Sequence, residues 1–152
     1  MDVRLYYLNL LHSSTTKGLR TLKTHKALGR DLEEWVLFRG YHDTAGDVES
    51  LAATMGMPRD EVTSFIHGWL GERFLTVRKR LRVHDACELL SSRPDLSVAE
   101  IGRMVGFQDK SDFRHAFTQE KGMTPRMWRE CGGSRVRYRI IKIREAGRSR
   151  CP

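Results

Sequence analysis

The sequence lacks the cysteine pattern of disulfide-rich and zinc-binding proteins. Its 152 residues include three widely spaced cysteines, Cys87, Cys131 and Cys151. An odd number without clustering argues against a disulfide framework and indicates a reducing compartment. His84 and Cys87 form one possible ligand pair, but no second pair follows at zinc-site spacing. We therefore expect no disulfide scaffold and no metal.

The sequence also lacks long apolar runs and catalytic motifs. No apolar run reaches the roughly 18 residues that a membrane-spanning helix needs. Residues 5–11 are too short and too interrupted for a signal-peptide core, and fit a packing helix, a dimer-contact helix or a short amphipathic lead-in. No glycine-rich loop or nucleophile motif accompanies His84, Asp85 and Cys87. We therefore predict no membrane span, no enzymatic activity and no cofactor.

Positive charge is abundant but unevenly placed. Lysine and arginine number 27 against 19 aspartates and glutamates, a net charge of +8 that favours polyanion partners. Residues 132–152 hold seven basic residues and one acidic residue, whereas residues 47–131 hold 13 of each. The basic tail, 132–152, alternates basic and apolar residues, which fits an edge strand or a segment that orders only on binding.

Helix start and stop signals place a lead-in before a helical domain. Residues 12–29 are typical of a linker or a frayed helix, because serine, threonine and glycine recur there among basic residues. We therefore predict that residues 1–29 form an N-terminal linker or lead-in. Asp31 opens an amphipathic segment with Leu32 and Val36 on one face. We predict that the helical domain covers residues 30–131.

Two segments within this domain show a helix, a tight turn and a second helix. The first covers about residues 47–71 and is bounded by an aspartate and a glycine. The second covers about residues 97–122 and opens with a capping box formed by Ser97 and Glu100. A connecting helix over about residues 75–91 would be roughly 25 Å long, which suits two units about one DNA turn apart.

The two segments repeat one pattern. Four pairs of residues are 50 positions apart: Leu51 and Ile101, Met55 and Val105, Gly56 and Gly106, and Met57 and Phe107. Three pairs beyond the turn are 51 positions apart: Val62 and Phe113, Ile66 and Phe117, and Gly71 and Gly122. One extra residue in the second turn accounts for the change. Two copies of a helix-turn-helix unit explain the pattern most economically.

A helix-turn-helix unit buries one face of its second helix and offers the other to base edges in the major groove. In the second unit the predicted inward residues are Phe113, Ala116 and Phe117. The predicted DNA-binding residues of that unit are Lys110, Ser111, Arg114 and His115. The predicted DNA-binding residues of the first unit are Arg59, Asp60, Thr63, Ser64 and His67.

The chemistry of the two outward faces differs. Lys110 and Arg114 can donate to guanine O6 and N7, and free N–H groups at the start of their helix can bind a phosphate. Asp60 repels phosphates but can accept from cytosine N4, which predicts weaker or more selective contacts. Four cationic side chains of the connecting helix either contact phosphates or simply face solvent: Arg78, Lys79, Arg80 and Arg82.

Several motifs in the second half of the chain resemble the AraC-type (AraC/XylS) transcriptional regulators. The motifs are Ala-x-x-Leu-Leu, Ser-Val-Ala-Glu-Ile, Val-Gly-Phe, Phe-x-x-x-Phe and Gly-x-Thr-Pro, at residues 86–90, 97–101, 105–107, 113–117 and 122–125. Together with the fainter first unit, the resemblance covers about residues 30–131.

The resemblance implies an all-α fold of two three-helix, homeodomain-like units joined by the connecting helix. It implies sequence-specific binding to double-stranded promoter DNA, with two recognition helices in successive major grooves, and contact with RNA polymerase. By position, it assigns base reading to Asp60, Thr63 and Ser64 in the first unit. In the second unit it assigns base reading to Lys110, Ser111, Arg114 and His115. We therefore predict a bacterial transcription regulator that is cytoplasmic and nucleoid-associated, with dimerisation left open.

The alternative is a helical protein-interaction module that keeps the fold without specific DNA readout. The neutral balance of residues 47–131 favours this alternative, whereas Lys110 and Arg114 favour DNA. Family members usually add an effector-binding domain, and residues 1–29 are too few to form one. We therefore expect a fragment of a longer regulator, a regulator controlled by its abundance, or one that receives signals through a partner.

Overall fold

The computed structural model describes residues 3–14, 22–43 and 47–133, with all of their side chains except those of 10–14, 22–26 and 69. This part of the chain is helical and contains no strand, so the predicted all-α fold is confirmed. The elements are α1 (Val3–Ser14), α2 (Leu22–Leu37), a short 3₁₀ helix (Gly40–His42), α3 (Val48–Met55), α4 (Arg59–Leu70), α5 (Phe74–Ser92), α6 (Val98–Met104), α7 (Lys110–Lys121) and α8 (Pro125–Glu130).

Helix α5 runs through two separate cores, as predicted for the connecting helix. The first core joins α1–α4 to the start of α5 and includes Leu81. The second core joins α6–α8 to the rest of α5 and includes Val83. We call α2–α4 the first unit and α6–α8 the second unit. The junction between their cores falls at Arg82, near the middle of α5.

The predicted repeat corresponds to equivalent positions in space. Val62 and Ile66 of α4 are at most 1% exposed, as are their counterparts Phe113 and Phe117 of α7. Both recognition helices end at a glycine in the left-handed conformation, with φ values of 68° and 70°. Apolar residues that recur at helical spacing thus build the same packing twice.

The predicted helix caps are also confirmed. The Asp47 carboxylate accepts a hydrogen bond from the Ser50 backbone N–H at the start of α3. The Ser97 hydroxyl and the Glu100 carboxylate each accept from the other residue's backbone N–H, which completes a capping box. These contacts satisfy N–H groups that the first turn of a helix leaves without intrahelical partners.

The N-terminal region differs from the sequence prediction. Helix α2 begins at Leu22 and passes through Gly29 and Asp31, so the expected boundary between residues 29 and 30 falls inside a helix. The physical reason is a stripe of buried residues four positions apart, Leu28, Leu32 and Val36, that continues the helical face upstream of Asp31. A linker within residues 15–21 lies outside the described residues.

Residues 5–11 belong to the packing helix α1. Tyr7 is 1% exposed and joins the first core, while Leu5 and Tyr6 remain exposed. Helix α1 packs against α2, α4 and α5, so it covers the side of the first unit that its own three helices leave open. The packing alternative therefore describes this segment.

Two further predictions concern membranes and the tail. Of the helices that the structure describes, none is both long enough and apolar enough to cross a membrane. The edge strand or binding-coupled order expected for the basic tail concerns residues 134–152, which lie outside the described residues.

Candidate nucleic-acid interface

Helix α7 has the two faces that a recognition helix requires. Phe113, Ala116 and Phe117 are at most 2% exposed and fill the second core. The four residues predicted to contact DNA all lie on the exposed face: Lys110, Ser111, Arg114 and His115. The structure therefore brings these four side chains together on one solvent-facing surface, which we call the α7 face.

A missing side chain in α6 sets how closely α7 approaches. A Cβ atom on Gly102 would lie 2.7 Å from Cδ1 of Phe113, closer than real Cβ contacts allow. Glycine at this position lets the phenyl ring of α7 rest directly on the backbone of α6. This close packing holds the α7 face at a defined angle to the rest of the second unit.

The start of α7 is less open to anions than the sequence suggested. The Asp109 carboxylate accepts hydrogen bonds from the backbone N–H groups of Ser111 at 2.6 Å and Asp112 at 3.1 Å. These donors already have a partner, and the carboxylate repels a phosphate. Positive charge on the exposed surface at this end of α7 therefore comes from the side chains of Lys110 and Arg114.

Helix α4 presents the corresponding face of the first unit. Val62, Phe65 and Ile66 are buried in the first core. The predicted contact residues are all exposed on the opposite side: Arg59, Asp60, Thr63, Ser64 and His67. We call this surface the α4 face, and its geometry matches the α7 face although its charge does not.

The acidic start of α4 has a structural cause of its own. Pro58 occupies the N-cap position and supplies no side-chain hydrogen bond to the first turn. Asp60 and Glu61 stand in that turn, where negative charge interacts favourably with the helix dipole. Arg59 forms an ion pair with Glu49 of α3, and both side chains are more than half exposed, so this pair adds little stability.

The cations of α5 fall into two groups. Arg82 is 6% exposed, and its guanidinium donates to the backbone carbonyls of Tyr41 and Asp43. Arg80 donates to carboxylates of Glu72 and Glu120. These two arginines therefore bind the protein itself, whereas Lys79 is exposed to solvent.

Two buried charged side chains of α5, Arg82 and Asp85, hold the 3₁₀ segment, Gly40–His42, against that helix. Burial lowers the pKa of the Arg82 guanidinium to about 10. The Asp85 carboxylate is 1% exposed and accepts from the Tyr41 hydroxyl at 2.8 Å and lies 2.7 Å from Nε2 of His42. Burial alone would raise the pKa of Asp85, but these hydrogen bonds, His42 foremost, hold it well below its ordinary value. Sequence spacing could not reveal contacts between residues more than 40 positions apart.

The group formed by His84, Asp85 and Cys87 is structural in character. Burial raises the pKa of the Cys87 thiol to about 12, which disfavours the nucleophilic thiolate. Ligand atoms of His84, Asp85 and Glu88 lie within 4.8 Å of one another. The Arg4 guanidinium donates to Glu88 at 3.1 Å and lies 3.9 Å from Asp85, so a protein cation already neutralises these carboxylates.

A cleft of about 470 Å³ separates the start of α5 from the start of α7. Its α5 wall carries Arg78, Lys79 and Arg82, and its α7 wall carries Asp112 and His115. Basic residues thus line a groove that lies beside the α7 face. No local pattern in the sequence indicated this cleft, because its walls are about 35 residues apart in the chain.

Two exposed faces on repeated recognition helices define a helix-turn-helix DNA-binding protein. A helix-turn-helix domain family matches residues 51–130, more than half of the chain. The chain therefore belongs to the AraC-type helix-turn-helix family of DNA-binding transcription regulators.

One curated relative and two solved structures agree with this assignment. The chain is 36% identical over 62 residues to the HTH-type transcriptional activator RhaR of Cronobacter sakazakii (strain ATCC BAA-894), a match that covers 40% of this chain and 22% of RhaR. The C-terminal domain of AraT, a response regulator from Geobacillus stearothermophilus, superposes with a TM-score of 0.59 at 23% identity, covering 70% of this chain and 83% of that domain.

An AraC-type transcriptional regulator from Chromobacterium violaceum superposes with a TM-score of 0.60 at 21% identity, covering 70% of this chain and 95% of the other. At these identities the two structures support the fold. The match spans about a fifth of the length of RhaR.

Proposed function

We propose that this chain reads double-stranded promoter DNA in a sequence-specific manner with both recognition helices. The α7 face enters one major groove and the α4 face enters the next one along the same side of the duplex. Lys110 and Arg114 donate to guanine, and Ser111 and His115 contact neighbouring bases or phosphates. Asp60, Thr63 and Ser64 make the weaker or more selective contacts.

The observation that carries this proposal is the equivalence of the two faces. Both recognition helices bury the same side, end at a left-handed glycine and expose the residues at their starts. Helix α5 has 19 residues, and such a helix is about 28 Å long. Two major grooves on one side of B-DNA are about 34 Å apart, so the helix has the right scale to hold two readers.

The cleft between α5 and α7 suits the phosphates that separate the two grooves. Lys79 and His115 both line it, and both are exposed. Lys79→Ala is expected to weaken binding to all sequences equally and to reduce the slope of affinity against salt by about one counterion. Equilibrium binding to a specific and a random duplex at several salt concentrations measures this. A loss confined to one sequence would show that Lys79 reads bases.

The named relative supports a partner other than DNA. RhaR is named as a transcriptional activator, and activation involves RNA polymerase, so we propose that this chain also acts at promoters beside the polymerase. A chain that binds chromosomal DNA resides in the cytoplasm with the nucleoid. The basic tail adds affinity for any phosphate backbone, because seven of its residues are basic and one is acidic.

A selection from random DNA tests the proposal. The full chain is bound to a random duplex library, and the enriched site is measured at several salt concentrations. The expected site has two half-contacts whose centres are about 10 base pairs apart. A single half-contact would make the first unit a scaffold. The absence of enrichment, with weak and steeply salt-dependent binding, would favour the protein-interaction module instead.

A further inference from the structure

The two units are joined through few elements, so their relative orientation needs a physical cause. The first core ends along α5 at Leu81 and the second begins at Val83. A single helix passing between two cores can bend or rotate slightly at such a junction. Side chains that reach from α5 to both recognition helices would restrict that motion.

Arg80 makes contacts of this kind. Its Nη1 donates to both carboxylate oxygens of Glu72, at 2.7 Å and 2.6 Å, and its Nε donates to Oε1 of Glu120 at 3.3 Å. Glu72 follows Gly71, the residue at which α4 ends, and Glu120 lies in the last turn of α7. One guanidinium therefore links the C-terminal ends of both recognition helices. We call these three side chains the Arg80 bridge.

The Arg80 bridge is partly shielded from solvent and involves more than one pair of charges. The exposed fractions of the Arg80, Glu72 and Glu120 side chains are 40%, 21% and 28%. The Tyr7 hydroxyl of α1 donates to Glu72 at 3.3 Å, which further fixes that carboxylate. A planar guanidinium bound to two carboxylates defines an orientation as well as a distance.

Arg80 and Arg82 project from opposite sides of α5 and bind different parts of the protein. Side chains two positions apart in an α-helix point about 200° apart around the helix axis. Arg82 holds the 3₁₀ segment, Gly40–His42, on one side, and the turn glycine Gly106 lies so close to the His42 carbonyl that a Cβ there would collide with it. The Arg80 bridge holds the ends of α4 and α7 on the other side.

We propose that the Arg80 bridge sets the angle between the two recognition helices and thereby the spacing of the DNA sites that the chain accepts. Arg80 is a positioning residue that acts through Glu72 and Glu120. The consequence for DNA spacing rests on the function proposed above. The effect on the angle between the helices in the free protein does not depend on that function. The Arg80 bridge and the proposed DNA reading can therefore fail separately.

The first test measures the angle in the free protein. Spin labels are placed at Thr54→Cys and Met104→Cys, exposed positions 50 residues apart in the repeat, with Cys151→Ser and the buried Cys87 and Cys131 unchanged. The distance distribution between the labels is expected to be narrow. Arg80→Met, which keeps the apolar stem, and Glu120→Gln are both expected to broaden it. Unchanged widths in both variants would overturn the proposal.

The second test uses duplexes whose half-contacts are moved by one to three base pairs. The unsubstituted chain should bind the altered spacings much more weakly. Arg80→Met and Glu120→Gln should reduce this discrimination by about threefold, the order expected from a partly exposed ion-pair network. Glu120→Gln separates positioning from charge, because removing a negative charge would by itself tighten binding at every spacing.

Arg93→Met is the matched control. Arg93 forms a local ion pair with Asp95 between α5 and α6, so its loss should change neither the label distances nor the spacing preference. If the unsubstituted chain selects no two-part site while the label distances broaden as expected, the bridge stands and the proposed DNA reading fails. Equal spacing preference in the chain and both bridge variants would contradict the bridge.

Discussion

The two helix-turn-helix units share one backbone plan and differ in what completes them. The second unit has side-chain caps on all three helices, from Ser97, Asp109 and Thr124. The first unit caps α3 through Asp47 but starts α4 at Pro58 without a side-chain cap. Its core also draws on α1 and the 3₁₀ segment. The same fold thus occurs once with side-chain caps on all of its helices and once with added support from neighbouring elements.

The exposed faces differ at equivalent positions. At the offset of 51 residues, Thr63 corresponds to Arg114 and Asp60 corresponds to Ser111. The second unit therefore has a long cationic donor where the first has a short hydroxyl, and a neutral hydroxyl where the first has a carboxylate. We therefore expect the second unit to supply most of the affinity and the first unit to make the weaker or more selective contacts.

The largest expected effect is on stability, and it distinguishes the two turn glycines, Gly106 and Gly56. Gly106 has a φ of 99°, and a Cβ there would collide with the His42 carbonyl, whereas Gly56 has a φ of 62° and nothing within 4 Å. Gly106→Ala should lower the free energy of unfolding by roughly 3–5 kcal/mol, from backbone strain and overpacking together. Gly56→Ala should cost about 1–2 kcal/mol, from strain alone. Urea unfolding of both variants measures the difference, and equal costs would contradict the docking of the 3₁₀ segment on the second turn.

The next effect concerns acid. The folded pKa of Asp85 lies below its ordinary value of 3.8, so its stabilising contribution is present above about pH 4 and is lost as the pH falls further. Hydrogen exchange should therefore show α2 and the 3₁₀ segment losing protection before α6 and α7. Asp85→Asn should weaken the same contacts at neutral pH by about 2–3 kcal/mol. Simultaneous loss of protection in both units would show that this carboxylate does not anchor the first unit selectively.

A third prediction compares the readers directly. Arg114→Ala should lower specific binding by about 1–3 kcal/mol and relax the base preference at one position. Thr63→Ala, at the equivalent position, should cost about 0.5–1 kcal/mol, because it removes one neutral hydrogen bond. Titrations against the selected duplex and its single-base variants measure both. A larger loss from Thr63→Ala would reverse the ranking of the two units.

The smallest expected effect comes from exchanging the residues at the helix starts. Asp60→Ser should raise affinity for random duplexes about two- to threefold by removing a negative charge near the phosphates, and should weaken discrimination at the base pair that Asp60 contacts. It should cost about 0.3–1 kcal/mol of stability. Ser111→Asp should lower affinity by a similar factor. Paired binding and thermal-unfolding measurements test the exchange. An equal gain on every duplex, with base discrimination unchanged, would contradict a base contact from Asp60.

The sequence predicted the features that depend on neighbouring residues. The pattern of each helix-turn-helix unit, the capping box at Ser97 and the buried pair Phe113 and Phe117 are all local patterns, and the structure confirms them. The start of α2 was missed because Gly29 and the polar residues near it masked the stripe of Leu28 and Leu32. In that helix, burial outweighed local propensity.

Contacts between distant parts of the chain could not be predicted. Arg80 and Arg82 have the same residue type and lie two positions apart, yet one binds carboxylates and the other binds backbone carbonyls 39 and 41 residues away. Nothing in their local sequence separates these roles from contact with phosphate. The exposed faces of α4 and α7 were predictable in position, because helical spacing separates their outward residues from the buried ones.

The most direct test of two-handed reading is methylation interference on the selected duplex. Guanine N7 is modified at each position in turn, and the modified duplexes that no longer bind are identified. We predict two clusters of interfering positions about 10 base pairs apart, with the stronger cluster lost in Arg114→Ala. A single cluster that Arg114→Ala removes entirely would contradict the claim that both recognition helices read the DNA.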